Sequence, residues 1–227
     1  ITPKAALIDM DGVLYDSMKN HVEAWYRTLT PMGFKCSKDE FYLYEGRTGA
    51  STIKYLFDKH FGKQVSDDEC AEIYKIKEKH FNALEKIVPM PGADLMLQRI
   101  IGNGIRPVLV TGSGQGSLLD RLDHDYPGVF EQQYKVTAYD VKIGKPSPEP
   151  YLMGLSKAGV KANEAIVIEN APLGVVSGTA AQIFTIAVTG PIPAQALIEA
   201  GADMVFPSMP DFANHVDELI HTLKITR

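Results

Sequence analysis

The chain has 227 residues, 45% hydrophobic and 22% charged, with a formal net charge of −5. That length allows a sizeable core in one large domain or two unequal ones. The acidic balance argues against a nucleic-acid partner, and no apolar run approaches the roughly 20 residues that a membrane span needs.

In chain order, "KAALIDMD" (4–11) is an apolar run that ends in acids and predicts a first strand. Residues 18–89 change character: "NHVEAWYRTLTPMG", "SKDEFYLYEG", "GASTIKYLFDKHFG" and "SDDECAEIYKIKEKHFNALEKI" all carry helical spacing. "SDDE" at 66–69 is a helix start, with Ser66 as N-cap and Glu69 three residues on. The chain leaves for this helical insert near Ser17 and returns through "VPMPG" (88–92), stiffened by two prolines. From there strands and helices alternate. "IRPVLVTGS" (105–113), "YKVTAYD" (134–140), "EAIVIEN" (164–170), "IFTIAVTG" (183–190) and "DMVFPS" (203–208) predict strands. "SLLDRLDHDY" (117–126), "PEPYLMGLSKAG" (148–159), "PLGVVSGTAAQ" (172–182) and "PAQALIEAGA" (193–202) predict helices. The expected fold is α/β, a doubly wound parallel sheet covered on both faces, interrupted once by an all-helical insert.

Ligands bind outside the carboxyl ends of such strands. The polar clusters of this sequence fall there: Asp9 and Asp11 after the first strand, Thr111, Gly112 and Ser113 after the second, Glu169 and Asn170 later, and Lys145 in a loop. Two carboxylates close together repel, and a dry carboxylate is costly. Asp9 and Asp11, two apart, face one side of a strand. With Glu169 and Asn170 they make an all-oxygen set that suits Mg²⁺, which offsets the repulsion. Thr111, the backbone N–H groups of the following turn and the Lys145 ammonium suit a phosphate.

"DMDGVLYDS", "VLVTGS", Lys145 in "KIGKPSPEPY" and "IVIENAPLGV" resemble, in order, the four motifs of the haloacid dehalogenase-like phosphotransferases. The nearest subgroup is β-phosphoglucomutase and related sugar-phosphate phosphatases. The resemblance implies a Rossmann-like core of residues 1–17 and 90–227 and a helical cap of residues 18–89. It implies Asp9 as the nucleophile that becomes an aspartyl phosphate, and Asp11 as general acid and base. Thr111 and Lys145 would hold the transferring group, and Asp9, the Asp11 carbonyl, Glu169 and Asn170 would surround Mg²⁺. The family usually has Asp at the place of Asn170, so Mg²⁺ affinity is expected to be modest, with Glu169 carrying more of it.

The cap is expected to set specificity. His21 and Trp25 lie four apart on one helix face, and the resemblance puts His21 beside the acid/base residue. Arg47, between glycines in "YEGRTG", could reach a second phosphate; Lys77 matches a cap lysine; Gln115 is placed to touch a sugar hydroxyl. The substrate class is a small phosphorylated metabolite. The reaction is phosphatase or, with a second phosphate site, β-phosphoglucomutase. A non-catalytic sugar-phosphate-binding regulator is a distant alternative whose one support is Asn170.

Competing readings fail on spacing. A calcium loop wants glycine at its sixth position, and Gly12 comes too early. "GSGQG" is not a dinucleotide turn, and Pro146 after Lys145 rules out a phosphate-binding Walker loop. Asp16 reads as capping or orienting the segment after the first strand. His60, His80, His124, His215 and His221 lack metal-ligand spacing and read as surface residues. Cys36 and Cys70, in helical surroundings, read as incidental thiols in a reducing compartment, which with the lack of a signal-peptide pattern predicts a cytoplasmic location. A monomer is expected, though nothing in the sequence fixes the oligomeric state. A few residues are expected to precede Ile1.

Overall fold

A computed structural model of the protein describes residues 1–225. Six strands form one parallel sheet in the order β3-β2-β1-β4-β5-β6: β1 Ala5–Ile8, β2 Arg106–Val110, β3 Lys135–Val136, β4 Ala165–Glu169, β5 Phe184–Val188 and β6 Met204–Phe206. Four helices, α1 Met18–Leu29, α2 Lys38–Tyr42, α3 Gly49–Phe61 and α4 Asp67–Asn82, lie between β1 and the rest. Six more follow: α5 Ala93–Gly102, α6 Gly116–Asp125, α7 Glu149–Ala158, α8 Pro172–Ala180, α9 Ala194–Glu199 and α10 Met209–Ile225. Among the described residues no helix is long and apolar enough to cross a membrane.

The alternation of side chains explains why the strands are apolar throughout. Ala6, Ile8, Leu109, Ile166 and Ile168 pack on one face with α5, α6 and α10. Ala5, Leu7, Val108, Val110 and Val167 pack on the other with Tyr151 and Leu155 of α7. Helix α7 lies very close to the sheet because Gly154 faces it. A Cβ there would meet Leu7 Cδ2 at 2.7 Å and Val110 Cγ2 at 3.1 Å. Helices α1, α3 and α4 build a separate apolar cluster around Val22, Trp25, Leu29, Ile53, Leu56 and Ile73.

Ser66 caps α4 as expected. Its hydroxyl accepts from Glu69 N–H at 3.2 Å, and Glu69 Oε2 accepts from Ser66 N–H at 2.9 Å. The two connections to the insert run side by side: Asp16 N–H donates to Val88 O at 3.0 Å and Met90 N–H to Leu14 O at 2.9 Å. The Tyr126 hydroxyl also bonds Leu14 O.

Three expectations need correction. The strand expected over 134–140 pairs only at Lys135 and Val136. Beyond them Asp140 Oδ2 accepts from the Thr137 N–H and hydroxyl and folds the segment into a turn. Cys36 lies in the loop before α2, and only Cys70 is helical. Asp16 is exposed, and it is the neighbouring Ser17 that orients the segment, by bonding Asp11.

Candidate active site

Strand β1 ends at Ile8, and the backbone then turns sharply at Gly12, whose φ of +81° favours glycine. The turn leaves Asp9 and Asp11 at the carboxyl edge of the sheet, 6% and 8% exposed. Strand β2 delivers Thr111 to the same edge and β4 delivers Glu169 and Asn170. Lys145 enters from the loop before α7 and is fully buried. Its ammonium donates to Asp9 Oδ1 at 2.7 Å, Glu169 Oε1 at 2.6 Å and Val110 O at 3.1 Å. One ammonium thus bonds two buried carboxyl groups whose sequence positions are far apart.

Burial, and then the Glu169 charge, push the Asp9 carboxyl up to about 8 despite Lys145. Burial opposes the charge on Lys145, but Asp9 and Glu169 outweigh it and hold the ammonium above its usual range. Asp11 behaves oppositely to Asp9. Burial would raise it, yet the His21 ring, the Ser17 hydroxyl and the Lys77 charge together hold it below the ordinary carboxylate range. Its Oδ1 accepts from Ser17 Oγ at 2.5 Å and from His21 Nε2 at 2.7 Å. Lys77 Nζ lies 2.7 Å from the other ring nitrogen, Nδ1. A charged lysine can only donate there, so the ring carries its proton on Nε2 and gives it to Asp11. Burial lowers His21 and favours that neutral ring.

The insert roofs the site. A narrow pocket is lined by Asp9, Asp11, Thr111, Gly112 and Ser113 from the sheet edge, and by His21, Trp25, Arg47, Lys77 and Glu45 from the insert. At Gly112 a Cβ would collide with the Gly46 carbonyl, so glycine is what lets the two parts touch. The Thr111 hydroxyl accepts from Ser113 N–H at 3.0 Å and keeps its own proton to donate. Lys77 sits among the rings of Phe81, Tyr74 and Trp25, at 5.0, 5.3 and 5.5 Å from their centroids. Arg47 stacks on Tyr55 at 4.6 Å and bonds Ser51 Oγ at 3.3 Å, while its buried Nε has no partner.

Nine of the thirteen residues singled out in the sequence line this pocket. Lys145 bonds Asp9 and Glu169, and Asn170 follows Glu169 on the chain. Gln115 and Glu169 are engaged otherwise than expected. Gln115 lies behind the pocket, its amide spent on Lys77, Asn82 and Ser117. Glu169 is wholly buried with both oxygens engaged: Oε1 accepts from Lys145 and Tyr151, Oε2 from the Asn170 N–H at 2.9 Å. Sequence reasoning missed Glu45, next to Arg47 in the same turn. Burial and the nearby Asp11 push its carboxyl up to about 8. It also missed Tyr151 behind Glu169, which the apolar spacing of α7 disguised.

The oxygen set has room for a further bond. Asn170 Oδ1 is buried with no partner, while its Nδ2 lies 2.6 Å from Met18 Sδ. A buried acceptor oxygen left without a partner, at the same sheet edge as Asp9, is what a hard cation would satisfy.

Residues 6–188 match the family model of haloacid dehalogenase-like hydrolases. Hexitol phosphatase A of Escherichia coli K12 is 31% identical over 207 residues, 91% of each chain. A phosphorylated carbohydrates phosphatase of Thermotoga maritima is 29% identical, covering 88% of this chain and 92% of its own. Among solved structures, a Bacteroides vulgatus protein provisionally described as a beta-phosphoglucomutase is 50% identical with a TM-score of 0.92, over 98% of this chain and 90% of its own.

Proposed function

Because the chain belongs to the haloacid dehalogenase-like hydrolase family, we propose that this enzyme removes phosphate from a small phosphorylated metabolite, a sugar phosphate foremost. Asp9 is the nucleophile and Mg²⁺ the cofactor. The observation that carries the reading is the Lys145 ammonium, which joins Asp9 to Glu169 beneath a pocket that also holds Thr111 and Asp11.

In the first half-reaction Asp9 attacks phosphorus, the bond to the ester oxygen breaks, and Asp11, which must have taken up a proton before this step, gives it to that oxygen. In the second, water attacks the aspartyl phosphate, gives its proton to Asp11 and frees Asp9. The Ser17 and His21 hydrogen bonds that keep Asp11 ionised suit this second half, where a carboxylate must accept. Thr111 donates its hydroxyl proton to the phosphoryl oxygens, and Lys145 balances their charge through Asp9. Mg²⁺, held by Asp9, the Asp11 carbonyl, Glu169 and Asn170, would neutralise the charge between nucleophile and phosphate. Residues 18–89 act as a cap over the core of residues 1–17 and 90–227, excluding bulk water and meeting the rest of the substrate. Relatives that carry phosphatase names and act on carbohydrate phosphates support this choice of substrate.

The test is phosphate release from a panel of sugar, polyol and glycolytic phosphates, with Mg²⁺, with chelator, and with Asp9→Asn. Turnover of sugar phosphates that is lost under both perturbations is expected. No release from any member, or an active Asp9→Asn, overturns the proposal.

One observation favours a second reading. Arg47 lines the pocket and its buried Nε has no partner, a donor that a second phosphate could take, and a phosphomutase works through a bisphosphate. Conversion of β-glucose 1-phosphate in the presence of catalytic bisphosphate, faster than phosphate release, would decide for the mutase.

A further inference from the structure

Far from the catalytic pocket in sequence motif and in role, three side chains of the insert come together without any explanation from phosphoryl transfer. Cys36 precedes α2, Glu40 lies within it, and His60 closes the last turn of α3. The Cys36 Sγ lies 3.3 Å from His60 Nε2, and one donor atom from each of the three falls within 4.8 Å of the others. We propose that Cys36, Glu40 and His60 form a binding site for a borderline-soft divalent cation, zinc foremost, separate from the catalytic acids.

The donor chemistry selects the ion. A thiolate, an imidazole and one carboxylate oxygen suit Zn²⁺, whereas Mg²⁺ wants oxygen alone. The spacing is nearly preset: with tetrahedral angles, Zn–S and Zn–N bonds put sulfur and nitrogen ~3.5 Å apart. Glu40 spends Oε1 on the Tyr44 hydroxyl and on Lys59 Nζ at 2.7 Å, which fixes the carboxylate and leaves it a second oxygen. The His60 ring is held edge-on to Phe34, 5.4 Å between centroids, with its Nε2 turned to the sulfur. All three residues are only partly buried, so an ion can enter and a water can take the fourth position.

Charges balance. Thiolate and carboxylate neutralise the ion, and the thiol proton leaves on binding. Burial and Glu40 hold the Cys36 thiol protonated when no metal is there, and Lys59 opposes them. The consequence is a clasp. The loop before α2 becomes fixed to the end of α3, and through the Tyr44–Glu40 bond the clasp adjoins a residue that lines the catalytic pocket.

The experiment is titration of the full-length protein with Zn²⁺ and with Co²⁺, under saturating Mg²⁺ so that the catalytic acids do not compete. One ion per chain should bind, with thiolate-to-cobalt charge-transfer absorption and a rise in the unfolding midpoint. Cys36→Ser and His60→Ala should each weaken binding at least ~tenfold and abolish the charge-transfer band, because each removes one of three ligands. Cys70→Ser, in α4 and outside the cluster, should bind like the wild type. Loss of one ligand leaves the apo fold intact, to be checked by circular dichroism. Absence of stoichiometric binding, or binding indifferent to both Cys36→Ser and His60→Ala, overturns the proposal.

Discussion

Replacing Lys145 by Met tests the electrostatic core of the site. The ammonium is fully buried and lies 2.7 Å from Asp9 Oδ1 and 2.6 Å from Glu169 Oε1. Methionine fills similar volume, so little packing is lost and the charge is what changes. Breaking a buried ion pair from one side costs ~3–5 kcal/mol, since the remaining charge is left dry. Here two carboxylates remain, but Asp9 is already pushed up to about 8 and takes a proton at neutral pH. That escape puts the expected loss near the lower end, ~3 kcal/mol, or a midpoint ~6–12 °C lower for a chain of this size. The second substitution sharpens the argument. Adding Glu169→Gln removes the second carboxylate of the pair, and should return more than ~1 kcal/mol, the size of coupling expected between residues in contact. Urea unfolding of the wild type, both single variants and the double variant, in chelator so that no cation substitutes, closes the cycle. A Lys145→Met protein within ~1 kcal/mol of wild type, or a double variant less stable than the single, would refute the reasoning.

Asp9→Asn should remove turnover while keeping the circular dichroism spectrum and a midpoint no lower than wild type, because it deletes a carboxyl that burial already disfavours. Lys77, which burial lowers to about 8 against the pull of Glu45 and Asp11, is a cation below that pH and neutral above it. KM for an anionic ester should therefore rise as pH passes upward through about 8, and Lys77→Met should flatten that limb of the steady-state pH profile. Asn170→Asp adds a charge to the oxygen set and should tighten Mg²⁺ ~tenfold in a calorimetric titration, equivalent to ~1.4 kcal/mol; no tightening would mean that Asn170 faces no cation. Gly154→Ala, which drives a methyl into Leu7 and Val110, should cost ~1–3 kcal/mol in denaturant unfolding without altering KM.

The parts of this molecule that were legible in the sequence are those where one physical rule acts alone. Strands buried on both faces read as unbroken apolar runs, and β1, β2, β4 and β5 have no other interpretation. Strand β3 failed because "YKVTAYD" has strand composition but sits at the sheet edge, where Asp140 captures the Thr137 N–H that a longer ladder would have used. Helices α5 and α10 went unassigned, although Phe212, Val216, Leu219, Ile220 and Leu223 repeat at helical spacing and all turn into the core. Their signal lies in the periodicity of the apolar residues.

The site divides along the same line. Asp9, Asp11, Thr111, Glu169 and Asn170 were legible because strand ends converge in a parallel sheet whatever the loops do, whereas Lys145 comes from a loop and was legible through its motif. That Glu169 has both oxygens engaged was not, since its Tyr151 and Lys145 partners arrive from an apolar helix face and from a loop. Glu45 was overlooked because nothing in "YEGRTG" says which of its two charges points inward, and both do. Cys36 and His60 stand 24 residues apart with no spacing rule to link them, and only the packing of Phe34 against α3 brings sulfur to nitrogen. Contacts made between elements, unlike contacts made along one, leave no period in a sequence. In this enzyme the transferable chemistry lies along strand ends and the individual chemistry lies between helices of the insert, so substrate choice and any second metal are to be sought there.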